Sequence, residues 1–241
     1  MRKIFLLLFT AFALLFVSCS SFAQSGERVK MSYNFVDFNS IDISGNFQVE
    51  LSQGKYSVFV DIPEEFEPYL KVKLRDGELH IYYNKLPFKL RYLIGRRGWF
   101  SIAKISLPKI EEIELSGASS LDAQDLKSSN LSIDCNGASK VDVSGDFGML
   151  EIDCSGASRG DISGNAKIFR LEVSGASRID AENLLCNKAE LDISGASRAS
   201  VNALDRLEID CSGASSVAYK IKDDTLLQAE SSGASNLTRI R

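Results

Sequence analysis

The sequence predicts an all-β solenoid, a parallel β-helix, and three observations carry that prediction. Seven copies of Gly-Ala-Ser, beginning at Gly117, Gly137, Gly156, Gly175, Gly195, Gly213 and Gly233, are separated by 20, 19, 19, 20, 18 and 20 residues. Six, four and two residues before the glycine stand apolar triplets such as Leu131/Ile133/Cys135, Leu150/Ile152/Cys154, Phe169/Leu171/Val173, Ala189/Leu191/Ile193 and Leu207/Ile209/Cys211. Three residues before it the chain always carries an acid: Glu114, Asp134, Asp153, Glu172, Asp192, Asp210 and Glu230. So regular a period marks stacked copies of a unit that cannot bury its apolar face alone. The alternation within each copy sends one set of side chains inward and the other outward, as a strand does.

A second alternating stretch follows the turn in several copies, as in Val141-Asp142-Val143, Gly160-Asp161-Ile162 and Ile179-Asp180-Ala181. Two strands and two tight corners make one coil of about 19 residues, with coils about 4.8 Å apart. In the corner, Gly supplies a positive φ, Ala is expected to pack, and Ser to bond nearby backbone. Burying an aliphatic side chain contributes about 1.5 to 3 kcal/mol, so three inward positions per coil outweigh weak local propensity. Helical repeats are excluded, because they need longer units and a 3.6-residue period.

Taken in order, residues 1–23 read as an export signal. Met1-Arg2-Lys3 is a basic start, Ile4 to Val17 an apolar core, and small residues follow. Two processing routes compete: cleavage after Ala23, releasing a chain that begins at Gln24, or lipidation of Cys19 in Phe16-Val17-Ser18-Cys19, which resembles a lipobox except for Phe16. Residues 24–33 read as a linker. From 34 to 110 the chain alternates like strands in Phe38 to Leu51, Tyr56 to Asp61 and Ile102 to Leu107, and Lys71 to Tyr83 reads as a hairpin around Asp76-Gly77. Ile41 to Phe47 resembles Val141 to Phe147, which carries the solenoid theme into this half. These strands are expected to cover the N-terminal mouth of the helix and protect it from edge pairing. Residues 111–241 form the repeat array.

The outward positions predict ladders. With the coils in register, the acids before each glycine form one column, Lys140, Arg159, Arg178 and Arg198 a basic one, and Asp122, Asp142, Asp161 and Asp180 a second acidic one. The plain reading is a solvated, charge-balanced face. The sharper one is a cation site, with Asp134, Asp153 and Asp192 as oxygen ligands, although no Ca²⁺-loop motif supports it. Cys135, Cys154 and Cys211 fall at an inward position and read as buried free thiols, too far apart along the stack for disulfides; the register of Cys186 is open.

The formal net charge of −4 becomes −6 once the signal removes Arg2 and Lys3. That disfavours nucleic acid and anionic lipid as electrostatic partners and leaves a lipid on Cys19 as the one route to a membrane. An enzyme is disfavoured too: His80, the one histidine, sits in an alternating strand, and no metal-ligand spacing, G-x-S-x-G or phosphate loop occurs. No cofactor is implied. One stretch breaks the regularity. Lys89 to Phe100 gathers Arg96, Arg97, Trp99 and Phe100 with two glycines, a mobile tip able to stack on sugars or hold acidic glycans. A competing reading has Trp99 and Phe100 plug the end of the solenoid.

Ser40-Ile41-Asp42-Ile43-Ser44-Gly45-Asn46-Phe47 and onward to Gly54, the Asp76-Gly77-Glu78-Leu79-His80-Ile81 hairpin and the Leu-Ser-Gly-Ala-Ser array from Leu115 resemble the head GIN domain family, auto-transporter adhesin-type exported proteins of Bacteroidetes. The resemblance covers about Phe35 to Ile240. It implies a right-handed parallel β-helix and a non-enzymatic adhesion or scaffolding role at the periplasm, outer membrane or cell surface. The alternative is a glycan-binding or polysaccharide-degrading β-helix protein. Surface glycans and envelope proteins are the partners that either reading implies.

Overall fold

A computed structural model describes residues 27–97 and 99–240. Residues 1–23, read above as an export signal, and Cys19 among them, lie outside the described residues. The first half of the chain contains β1 (Arg28–Tyr33), β2 (Ser40–Gly45), β3 (Phe47–Gln53), β4 (Ser57–Pro63), a 3-10 helix (Glu64–Tyr69), β5 (Leu70–Arg75), β6 (Glu78–Tyr83), helix α1 (Phe88–Arg97) and β7 (Ser101–Leu107). The second half contains β8 (Glu112–Gly117), β9 (Ser120–Gly137), β10 (Lys140–Gly156), β11 (Arg159–Val173), β12 (Arg178–Ile193), β13 (Arg198–Cys211), β14 (Ser216–Ile221), β15 (Leu226–Ser231) and β16 (Asn236–Arg239). From β8 onward every pairing is parallel, and the chain winds as a right-handed parallel β-helix.

The coils stack in the register that the repeats predict. Ile133, Ile152, Leu171, Leu191 and Ile209 share one inward column, and all are buried. Two details of the coil differ from expectation. Each coil of β9 to β13 is one long strand with a single tight corner, because the second bend is spread over bulges such as those at Val143/Gly145 and Asp161/Ser163. In the corner Ser bonds nearby backbone as expected, but Ser and not Ala is the residue that packs. Ala118, Ala138 and Ala157 are exposed, while Ser119, Ser139 and Ser158 are buried and donate to the carbonyl three residues earlier. A buried hydroxyl at that point satisfies a carbonyl the sharp turn would otherwise orphan.

The corner glycine is fixed by its neighbour one coil away. Gly156 has φ 90°, and a Cβ there would lie 2.4 Å from the Gly137 carbonyl oxygen. The same carbonyl accepts the N–H of Ala157 at 2.7 Å. A column of glycines therefore lets successive corners nest with their ladder hydrogen bonds intact.

The N-terminal half is wound out of order. β2 lies between β6 and β8, and β3 between β7 and β9, all parallel. The coil β6–β7 is thus stacked outside the coil β2–β3, which precedes it in sequence. On that outer coil β4 and β5 run antiparallel, and β1 runs antiparallel to β4. These strands close the mouth as expected. The β5–β6 hairpin turns on Asp76 and Gly77, both at positive φ (49° and 83°), the chemistry of a type I′ turn. Gly45 aligns with Gly117, so Ile41 to Phe47 matches the residues leading into a corner, not Val141 to Phe147.

Residues 88–97 are helical where a mobile tip was expected. Leu90 and Ile94, one turn apart, pack against the core and hold α1 to the capped end. The four described cysteines, Cys135, Cys154, Cys186 and Cys211, are buried and free. Cys186 takes the inward column of Phe147, Ala166 and Ala203.

Candidate functional site

The acidic column is longer than the repeats indicate. Register places Asp42, Glu114, Asp134, Asp153, Glu172, Asp192, Asp210 and Glu230 in one line, each on the next coil. Asp42 stands three residues before Gly45, the same rule that marks the others. His80 follows at the capped end, with Nδ1 3.1 Å from Asp42 and Nε2 3.3 Å from Glu78. The second acidic column, Asp122, Asp142, Asp161 and Asp180, is prolonged by Glu50, whose carboxylate pairs with Lys104 at 2.7 Å. Both ladders thus end on a basic side chain at the same end of the rod.

Packing like charges at the coil spacing has a local consequence. Partial burial, then the charges of Asp42, Glu78, Glu112 and Asp134, raise the Glu114 carboxyl above its ordinary range. Burial, then Asp153, Glu112 and Glu151, do the same to Asp134. Of the three residues expected as cation ligands, Asp134 and Asp153 are on neighbouring coils, and Asp192 is separated from Asp153 by Glu172. Asp134 instead meets Glu112 and Glu114, whose carboxylate oxygens all lie within 4.8 Å of one another. That trio could receive a hard cation through oxygen ligands alone.

The second candidate surface is the capped end. Trp99 is half-buried, its ring edge-on to Phe66 at 6.1 Å, and Phe66 meets Tyr83, which stacks on Phe47 at 5.1 Å. Its carbonyl accepts from Asn46 Nδ2 at 2.6 Å. Trp99 therefore belongs to an aromatic plug. Phe100 is 38 % exposed, and on α1 Phe88 is 83 % and Tyr92 47 % exposed. Arg96 and Arg97 end the helix. The surface that remains outside is a short basic helix with aromatic side chains.

A third feature has no counterpart in the repeat signature. An open groove of about 840 Å³ crosses β9 to β13 at the broad bend, with Met149, Ile168, Leu185 and Leu204 in its floor and Lys127 and Lys167 at its rim.

A sequence model of the family described as "Putative auto-transporter adhesin, head GIN domain" matches residues 37–222. Among solved structures, the chain is similar to one described as a "putative adhesin" from Bacteroides fragilis, with TM-score 0.76 and 21 % identity over 90 % of this chain and 98 % of that one. It is similar to one described as a "Putative lipid binding protein" from Parabacteroides distasonis, with TM-score 0.69 and 17 % identity over 90 % and 98 %. A "putative adhesin" from Parabacteroides merdae matches with TM-score 0.58 and 18 % identity over the same shares of the two chains, 90 % and 98 %. No curated protein matches the chain. At these identities the structural likeness concerns the fold alone.

Proposed function

The chain belongs to the head GIN domain family, and from that premise we propose that it is a non-enzymatic, exported adhesion or scaffolding module whose rigid β-helix presents a contact surface away from the envelope. The observation that carries this reading is the ordering of the rod. One end is sealed by antiparallel strands and an aromatic plug, and it displays α1 with Phe88, Tyr92 and Phe100 exposed. A sealed, plugged end holds that helix at a fixed angle, which favours contact without prior ordering. Arg96, Arg97 and Phe100 are the contact residues, and Trp99 anchors them. His80 has a structural part, bridging Asp42 and Glu78 on a strand face. Lipidation of Cys19 or cleavage after Ala23 delivers the domain to the periplasm, outer membrane or cell surface, and the mass of the mature N-terminus separates the two.

The test is adhesion of beads coated with the mature domain to glycan-bearing cells. Arg96→Ala/Arg97→Ala/Phe88→Ala is expected to reduce bead retention severalfold with unchanged circular dichroism. Retention equal to wild type would overturn the assignment of this end. No helix among the described residues is long and apolar enough to cross a membrane.

A further inference from the structure

Along β9 to β13 the outward-pointing residues are polar, charged or glycine at all but four positions, and those four are Met149, Ile168, Leu185 and Leu204. All four line the same groove. Gathered in one groove of an otherwise polar face, the four aliphatics give a ligand an apolar surface to lie on. From this groove we infer a lateral binding site for an extended acidic polysaccharide, distinct from the capped end.

Length and charge select the ligand. Lining residues from β9 through β13 span four coil steps, about 19 Å, and the groove is open along its length, so a linear chain fits it better than a compact molecule. The rim cations Lys127 and Lys167 are two coils apart, about 10 Å along the axis, close to the length of a disaccharide. Neither lysine makes an ion pair among the described residues, and the one acid of the lining, Asp146, stands in register with Lys127 on the next coil. Asp146 accepts from Asn165 Nδ2 at 2.8 Å, and Asp205 from Asn187 Nδ2 at 2.9 Å. Further round the coil, Glu190 pairs with Arg170 at 3.3 Å and Glu208 with Arg206. Two lysines against Asp146 leave the charged side chains of the lining with a net positive charge. Carboxylates of a uronate chain would meet the two ammonium groups, the apolar C–H faces of its rings would lie on the aliphatic floor, and its hydroxyls would reach the asparagine carbonyl oxygens. The long acidic ladder stands on another part of the coil, two outward positions beyond the groove's edge, and salt screens it at that distance.

The test is calorimetric titration of the mature protein with sodium alginate, with dextran as a neutral and poly-L-glutamate as a peptidic comparison. Alginate is expected to bind, more weakly as salt rises, while dextran and poly-L-glutamate do not. Lys127→Gln/Lys167→Gln should weaken alginate by about tenfold, and Ile168→Ser should weaken it with the salt dependence unchanged; both lysines are exposed, so the melting curve of the lysine variant should match wild type. The variant at the capped end should bind alginate normally, so loss of bead adhesion and loss of polymer binding report on different sites. Absent alginate binding, equal binding of dextran or poly-L-glutamate, or indifference to the lysine substitutions would each overturn the proposal.

Discussion

A methyl group at Gly156 would sit 2.4 Å from the carbonyl oxygen of Gly137, on a backbone at φ 90°. Both faults act on the same atom, so Gly156→Ala is expected to destabilise the domain by about 3 kcal/mol, while Ala157→Gly, at an exposed position, changes little. Chemical denaturation checks it, and equal midpoints for Gly156→Ala and wild type would show that the corner can shift. The cysteines make the opposite case. A hydrogen bond to Cys154, then burial, raises the Cys135 thiol far above the usual range, and burial pushes Cys186 up to about 12. Thiols so held are unreactive. Cys135→Val/Cys154→Val is therefore expected to cost less than about 1.5 kcal/mol, equally with and without reductant, and folded wild type should resist alkylation. A stability loss seen only under oxidising conditions would reveal a disulfide. The corner glycines and inward cysteines were legible in sequence because both recur at fixed phase. The buried serine was not, since side-chain direction at a corner depends on how the next coil closes over it.

At the scale of the element, the acidic ladder sets a pH dependence. The carboxyls of Glu114 and Asp134 are raised in the folded state, so the native protein binds their protons more tightly than the unfolded chain does. Their contribution to stability is complete below the unfolded values, near 4, and is lost as pH rises through the higher folded values. The melting temperature should therefore gain more between pH 7 and pH 4.5 in wild type than in Glu114→Gln/Asp134→Asn. At pH 7 that variant should be the more stable, by up to about 1 kcal/mol per relieved neighbour before screening. A variant whose pH profile superimposes on wild type would remove the ladder as the cause. Millimolar Ca²⁺ is expected to act only as matched ionic strength does; a specific rise in melting temperature, lost in the same variant, would make the carboxylate trio a metal site. The ladder was legible from the acid three residues before each glycine, and the same rule finds Asp42. Helix α1 was obscured by Gly95 within it and Gly98 in the sequence just after it, although Leu90 and Ile94 stand at helical spacing.

Across the whole molecule the two ends differ. The first coils are covered by β1, β4 and β5, while β15 and β16 each pair on one side only, with Leu226 67 % and Leu227 43 % exposed. Because each coil of a solenoid is held by its neighbours, amide hydrogen exchange should run fastest in β15 and β16 and slowest in β10 to β12. Uniform protection along the rod would contradict that gradient. The sequence by itself determined the period, the strand alternation, which residues face inward and the charge columns, since all are read from residues that recur in phase, and it placed the hairpin through the local turn signal of Asp76-Gly77. Only the tertiary structure decided the rest. The stacking of β6–β7 outside β2–β3 depends on pairings such as Ser40 with Glu112, and any strand that carries the common register could have filled that place. The groove likewise joins Met149, Ile168, Leu185 and Leu204, each an isolated outward aliphatic in its own coil, which become one surface because parallel stacking sets successive coils side by side at the same bend.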